Sequence, residues 1–273
     1  MNELKIREPF VAGQFYPGSS QDLRSEINHL VDKKAKKISA IGCMLPHAGY
    51  TYSGKVAGET ISRLNIPDTL ILLGPNHTGI GAPFSLMSEG IWHMPFGNVT
   101  IDSTTAKSLL KNSRLLEENM QAHINEHSLE VELPFFQYFK PEIKIIPIAL
   151  SSGNIEDLKK IGDELAHTII NSGVKEKFLI VASSDMTHYE PLLDAKGKDK
   201  EAIDAILELD EDKLMQRIRK LDITMCGYAP VAVMLKAAKA LGAKNAELVK
   251  YQTSADASGD TDSVVGYAGI IVY

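Results

Sequence analysis

Three stretches of this chain share one form: a run of strand-forming apolar residues that breaks into small polar residues and a histidine. They are 38-ISAIGCMLPHAGY-50, 69-TLILLGPNHTG-79 and 178-FLIVASSDMTHYE-190. A short continuous apolar run bounded by turn residues reads as a strand buried on both faces, as in a parallel sheet covered by helices. Open α/β sheets collect ligands outside the carboxyl ends of their strands. His47, His77 and His188 each fall just past such an end, so the three runs predict the walls of one site.

The remaining segments fit an α/β chain. Between the first two runs, 55-KVAGETISRL-64 predicts a helix, and strand–helix–strand makes the two strands parallel. Ser19 or Ser20 caps a helix expected to reach about residue 34, with Leu23, Ile27 and Leu30 on one face. Lys33, Lys34, Lys36 and Lys37 read as its solvated end. Residues 83–102 predict a hairpin turning at Ser88-Glu89-Gly90, and Asp102 or Ser103 starts a helix to about residue 112. The segment 126-EHSLEVELPFFQYF-139 predicts an amphipathic helix with Leu129, Leu133 and Phe136 as its stripe. A strand at 143–149 follows, and Asn154 caps a helix over 155–171 that Gly173 stops. Helices are expected over about 198–209 and 211–221, and another runs from near Ala229 or Pro230 to Gly242. Strands at about 246–253 and 264–272 close the chain, joined by an exposed polar loop. No repeat, low-complexity segment or linker interrupts residues 1–273, which are expected to form a single domain.

Composition narrows the function classes. With 29 basic and 35 acidic residues the net charge is −6, which argues against a nucleic-acid partner. Two cysteines, Cys43 and Cys226, make no disulfide framework. No apolar h-region opens the sequence, and no apolar run reaches the roughly 18 residues of a membrane span. The expected setting is cytoplasmic, with no membrane partner.

Three groups of residues could carry chemistry. Imidazole with thiolate suits zinc, copper or iron, so His47, His77 and Cys226 are candidate metal ligands, although Cys226 also reads as a small buried hydrophobe and each histidine as a hydrogen-bonded strand end. A carboxylate can fix a nearby imidazole's tautomer, which makes Asp185 with His188 a candidate acid–base pair or a polar loop cap. Glu126, His127, Ser128, Glu130 and Glu132 read first as helix capping and solvated face, with His127 able to meet a substrate group. Tyr50, Tyr52 and Tyr228 could line a pocket or pack, and Cys43 reads as core. No nucleophile elbow, Walker loop or dinucleotide fingerprint is present.

Seven ordered segments carry a family resemblance: GQFYPGS, PHAGYTYSG, LLGPNHTG, EHSLEVELPF, SSDMTHY, TMCGYAPVAV and DSVVGYAG. Together they resemble the Memo family, also called AmmeMemoRadiSam system protein B, from about residue 7 onward. The family is similar in fold to class III extradiol dioxygenases. That resemblance implies a three-layer α/β domain with a central mixed β-sheet flanked by helices. It implies His47, His77 and Cys226 as metal ligands, with the cysteine where those dioxygenases place a glutamate. It also implies Asp185 and His188 as the polar pair beside the metal and His127 as the family's histidine at the helix start. A thiolate is softer than a carboxylate and favours copper or a thiolate-tolerant iron site. The system name implies a radical-SAM protein and an AMMECR1-like protein as partners.

Three functions are therefore expected, in this order. The first is an oxidoreductase with iron(II) or copper on His47, His77 and Cys226, His188 as acid or base, and His127 and Tyr52 in the substrate pocket. The second is a non-catalytic module that takes a small-molecule or peptide ligand in the same pocket. The third is a cysteine catalyst with Cys226 as nucleophile and His188 or His77 as base.

Overall fold

The apolar runs form the middle of one large mixed sheet in this computed structural model, which describes residues 4–273. In chain order the strands are β1 (Ile6–Arg7), β2 (Gly42–Leu45), β3 (Thr69–Pro75), β4 (Phe84–Leu86), β5 (Ile91–Trp92) and β6 (Val99–Ile101). They continue with β7 (Glu117–Glu118), β8 (Lys144–Leu150), β9 (Phe178–Ser183), β10 (His188–Glu190), β11 (Ala246–Thr253) and β12 (Val264–Val272). The main order is β1-β5-β6-β8-β3-β9-β2-β12-β10, with β11 on β12 and the short β4 and β7 beside β8.

Strands β6, β8, β3, β9 and β2 run parallel, and β12 is antiparallel to β2. Every residue of β2, β3 and β9 is buried, which explains their unbroken apolar character. The βαβ expectation holds with one refinement: β9 lies between β2 and β3 and pairs with both. The three histidine-bearing runs are therefore three adjacent parallel strands, and their carboxyl ends lie side by side.

Helices cover both faces. The helix Tyr228–Ala240 is apolar nearly all round and packs on β9, β3 and β2, with Ile155–Asn171 outside it. The helix Tyr50–Ser62 packs on β11, β12 and β2. Helix starts follow their caps. Asn154 accepts from the Asp157 N–H, and Leu158, Ile161, Leu165 and Ile169 form the buried stripe of the following helix. Asp210 does the same for Glu211–Leu221. No helix of the described residues is long and apolar enough to cross a membrane.

Several expectations change. The hairpin expected over 83–102 does not turn at Ser88-Glu89-Gly90: β4 pairs with β7 and β8, whereas β5 pairs with β1 and, antiparallel, with β6. The helix expected at 126–139 shortens to Leu133–Phe139, and residues 128–132 form turns. The helix expected at 55–64 instead spans Tyr50–Ser62, because the Phe15 carbonyl accepts the Tyr50 N–H and satisfies an end the sequence leaves open. The first helix likewise stops at Leu30, so the lysine cluster lies beyond it, with Lys37 over the Phe139 ring.

Candidate metal centre

His47 follows β2 after a single proline. Its backbone N–H donates to Asp185 Oδ1 at 2.8 Å. Its ring Nδ1 lies 2.7 Å from Ser183 Oγ, and the Ser183 hydroxyl donates to the Ser128 carbonyl at 2.8 Å. A hydroxyl has one proton, so Ser183 accepts from His47 Nδ1–H, and Nε2 keeps its lone pair. Burial, with His77, His127 and His188 nearby, holds the His47 pKa well below the usual imidazole range, so the ring is neutral.

His77 follows β3 and is clamped by Glu126. The His77 backbone N–H donates to Oε2 at 2.6 Å and ring Nδ1–H donates to Oε1 at 2.9 Å. With Nδ1 committed to Glu126, Nε2 is the ring nitrogen left to meet a metal. Burial alone would raise the Glu126 pKa, but His77, the Ser128 N–H and His127 outweigh it and bring it to about 2. Glu126 is thus an ionised partner of the histidine and not a solvated residue, correcting the sequence expectation.

Cys226 arrives from the turn that starts Tyr228–Ala240. Its Sγ lies 3.3 Å from His47 Nε2 and accepts the Asp185 N–H at 3.3 Å. The close approach depends on Gly227, where a Cβ would meet the Ser183 carbonyl oxygen at 2.1 Å. Gly74 has a similar role on β3, admitting Ser128 and Leu129. Burial, then the Asp185 carboxylate, pushes the Cys226 thiol pKa up.

Ligand atoms of His47, His77 and Cys226 all lie within 4.8 Å of one another. Two imidazole lone pairs and a sulfur at that separation fit an iron, copper or zinc ion. His77, Glu126 and His127 make a second group within 4.8 Å, but Glu126 already accepts the His77 Nδ1–H. His127 stacks on His77 with ring centroids 4.8 Å apart and lies edge-on to His47 at 5.4 Å.

The site opens into a cleft of about 670 Å³. Phe15, Tyr52, His127, His188, Tyr189 and Tyr267 line its walls. Tyr52 is at the mouth and 44 % exposed. Asp185 and His188 share the cleft but no direct hydrogen bond. His188 Nδ1–H donates to the Thr224 carbonyl at 2.9 Å, and its backbone N–H donates to Thr224 Oγ1 at 2.7 Å. Asp185 accepts the His47 N–H instead; burial raises its pKa to about 6, opposed in part by that N–H, by the nearby His188 ring and by the Ala48 N–H. Backbone donors beyond the end of the neighbouring strand reach the carboxylate first, so sequence proximity misassigned its partner.

Sequence reasoning also missed Arg7 and Glu130. They form a wholly buried ion pair. Glu130 further accepts from the Phe10 and Val11 N–H groups and the Tyr16 hydroxyl, while Arg7 donates to the His123 and Glu126 carbonyls. This knot ties residues 7–16 to the segment carrying Glu126 and His127. The alternation of Leu129, Val131 and Leu133 with Glu130 and Glu132 was the available signal against a helix with a solvated acidic face.

Among known proteins, residues 7–271 match a family described as Memo-like protein. A MEMO1 family protein of Methanococcoides burtonii is 44% identical over 271 residues, covering 98% of this chain and 100% of the relative. One from Aquifex aeolicus is 41% identical over 270 residues, with 98% and 99% covered. One from Methanopyrus kandleri is 37% identical over 279 residues, with 97% and 98% covered.

Proposed function

The chain belongs to the Memo-like protein family, and from that premise we infer a metal-dependent oxidoreductase with iron(II) or copper on His47, His77 and Cys226. The observation that carries this reading is two imidazoles and a sulfur with ligand atoms within 4.8 Å of one another, the two Nδ1 atoms being held by Ser183 and Glu126. When bound, the ion would supply one-electron redox chemistry at the base of the cleft.

The chain's own residues divide the remaining work. Ser183 and Glu126 hold the two ring orientations, as outer partners of ligating histidines do. Asp185 holds the His47 backbone and, through its own N–H, the Cys226 sulfur. His188 lines the cleft with Nδ1–H committed to Thr224, so its Nε2 is the ring atom able to take or return a substrate proton. The aromatic side chains of Phe15, Tyr52 and His127 present flat apolar surface to a ligand entering from solvent.

The test is anaerobic titration of the reduced protein with iron(II) and copper(I), wild type against Cys226→Ser. Tight binding by wild type, weakened on the order of a hundredfold or more in the variant, is the expected result. Equal affinities would remove Cys226 from the ligand set. A second reading, a binding module for a small molecule or peptide, draws on the aromatic cleft wall and on a thiol that burial keeps protonated without metal. Wild type that binds neither metal would put this second reading first.

A further inference from the structure

Tyr189 is held in a backbone conformation that its own side chain disfavours. Its φ is 59°, in the left-handed region that glycine enters freely and tyrosine seldom does. It is the extra residue of a β-bulge: His188 pairs with Val265 and Glu190 with Val264, so two steps along β10 answer one along β12. The ring that this bulge carries is 78 % exposed and lies edge-on to His188, with centroids 5.8 Å apart. A strained residue persists only where its surroundings fix it, and such residues gather at ligand sites. Here the strain holds an aromatic ring out at the wall of the cleft, where it adds little to the core.

The rest of the lining indicates what such a ring would meet. Phe15, Tyr52 and Tyr267 line the same cleft, and Tyr52 also stands open at its mouth. Among the described residues no lysine or arginine lines it, and Asp185 is its carboxylate. Val265 lines the cleft too, and the loop before it, residues 254–263, carries Asp256, Asp260 and Asp262 with no basic residue. This loop is tied to the β10 side of the mouth, because the Leu192 N–H donates to the Thr261 carbonyl. An anion entering here would find no lysine or arginine, whereas aromatic ring faces and carboxylates both attract a cation.

We propose that the mouth of the cleft is a subsite for an organic ammonium group, with Tyr189 and Tyr52 as its aromatic walls, so that the ligand of this site is a small amine or quaternary ammonium compound. A cation over a tyrosine face is held by the ring's negative quadrupole, most strongly where water is excluded. At about 670 Å³ the cleft has room for a molecule that leaves its cationic end at the mouth and extends its other end toward His47, His77 and Cys226. The proposal deepens the function inferred above and rests on it only in taking this cleft as the ligand's place.

Choline, tert-butylethanol and the anion of tert-butylacetic acid test it, since they share a shape and differ in charge. Metal-free, reduced protein is titrated with each and followed by amide NMR, and thermal unfolding of every variant is recorded alongside. Wild type should bind choline about fivefold more tightly than tert-butylethanol, with the anion weakest. Tyr189→Gly should weaken choline binding about fivefold, because the ring face is gone. It should leave Tm unchanged or raise it by about 2 °C, because release of the backbone strain offsets a freer unfolded chain. Tyr189→Phe, which keeps the face, should bind choline within about twofold of wild type. Tyr52→Leu should weaken choline more than it weakens tert-butylethanol.

Undiminished stability with weaker choline binding is a pairing that a packing role for Tyr189 does not give. The proposal is overturned by an alcohol or anion that binds as tightly as choline, by failure of all three to bind, or by wild-type choline affinity in Tyr189→Gly. Should Tyr189→Gly fail to fold, Tyr189→Asn replaces it, since asparagine also tolerates the left-handed region. The protein is metal-free throughout, so the outcome is separate from that of the iron(II) and copper(I) titrations. Preference for choline in a protein that binds neither metal fells the oxidoreductase reading alone. Metal binding without that preference fells this proposal alone.

Discussion

Replacing Gly227 by alanine would ask whether the backbone approach that delivers Cys226 sets the metal affinity. The new Cβ would lie 2.1 Å from the Ser183 carbonyl oxygen and 2.4 Å from Ser184 Cβ. Neither obstacle is a flexible tip, because both residues are wholly buried at the end of β9. Ordinary contact begins at 3.4 Å, so the loop must retreat by about 1.3 Å. Overpacking of this kind costs about 1–3 kcal/mol. The Gly227 N–H to Ser184 Oγ hydrogen bond of 2.9 Å is lost in the retreat and adds about 1 kcal/mol. A total of about 3 kcal/mol lowers Tm by roughly 6–12 °C in a chain of this size. The effect on metal is the sharper readout. Coordination distances tolerate deviations of about 0.2 Å, and Sγ moves with its backbone. Anaerobic iron(II) and copper(I) titration should therefore give Gly227→Ala an affinity no better than Cys226→Ser. Wild-type affinity in a folded Gly227→Ala protein would refute the argument, since the thiol would then not depend on this approach.

Two further outcomes follow from the walls of the site. Arg7→Ala strands the Glu130 carboxylate in the interior and should destabilise by about 3–5 kcal/mol in urea unfolding. A loss below about 1 kcal/mol would mean that the Phe10, Val11 and Tyr16 donors hold Glu130 without it. Glu126 has its folded-state pKa depressed from 4.5 to about 2, so the folded protein binds fewer protons there than the unfolded chain. Its contribution is present above about pH 4.5 and is lost as pH falls toward 2, and Glu126→Gln should flatten that acid limb in equilibrium unfolding. An unchanged limb would place the acid sensitivity elsewhere.

Elements whose local chemistry and burial agree were legible in the sequence. The helices Ile155–Asn171 and Glu211–Leu221 carry their caps and stripes within themselves, and β3, β8 and β9 are apolar because both faces are covered. The gathering of His47 and His77 was legible because neighbouring parallel strands end at one edge, whereas Cys226, on the turn before a helix, was tied to them by the family resemblance. What escaped depends on distant partners. Glu126, Glu130 and Glu132 read as solvent-facing until Arg7, His77 and the end of β9 are brought against them. Asp185 and His188 are three residues apart, yet their hydrogen bonds go to His47 and to Thr224. The start of the helix at Tyr50 was hidden because its N–H partner, the Phe15 carbonyl, comes from another segment. Periodicity reports which face is buried and leaves open what buries it.

The position of β9 between β2 and β3 bears on when the centre can exist. During synthesis β2 emerges early, but its two neighbours are β9, which begins at Phe178, and β12, which begins at Val264. Neither edge of the strand that leads to His47 can close until those segments are available. Cys226 depends on the same delay, because its turn is seated against the end of β9. A growing chain therefore holds its histidines and its thiol far apart. An ion bound at these ligands would meet the assembled set only after the sheet has closed, which would separate its capture in time from the vulnerable stage of folding.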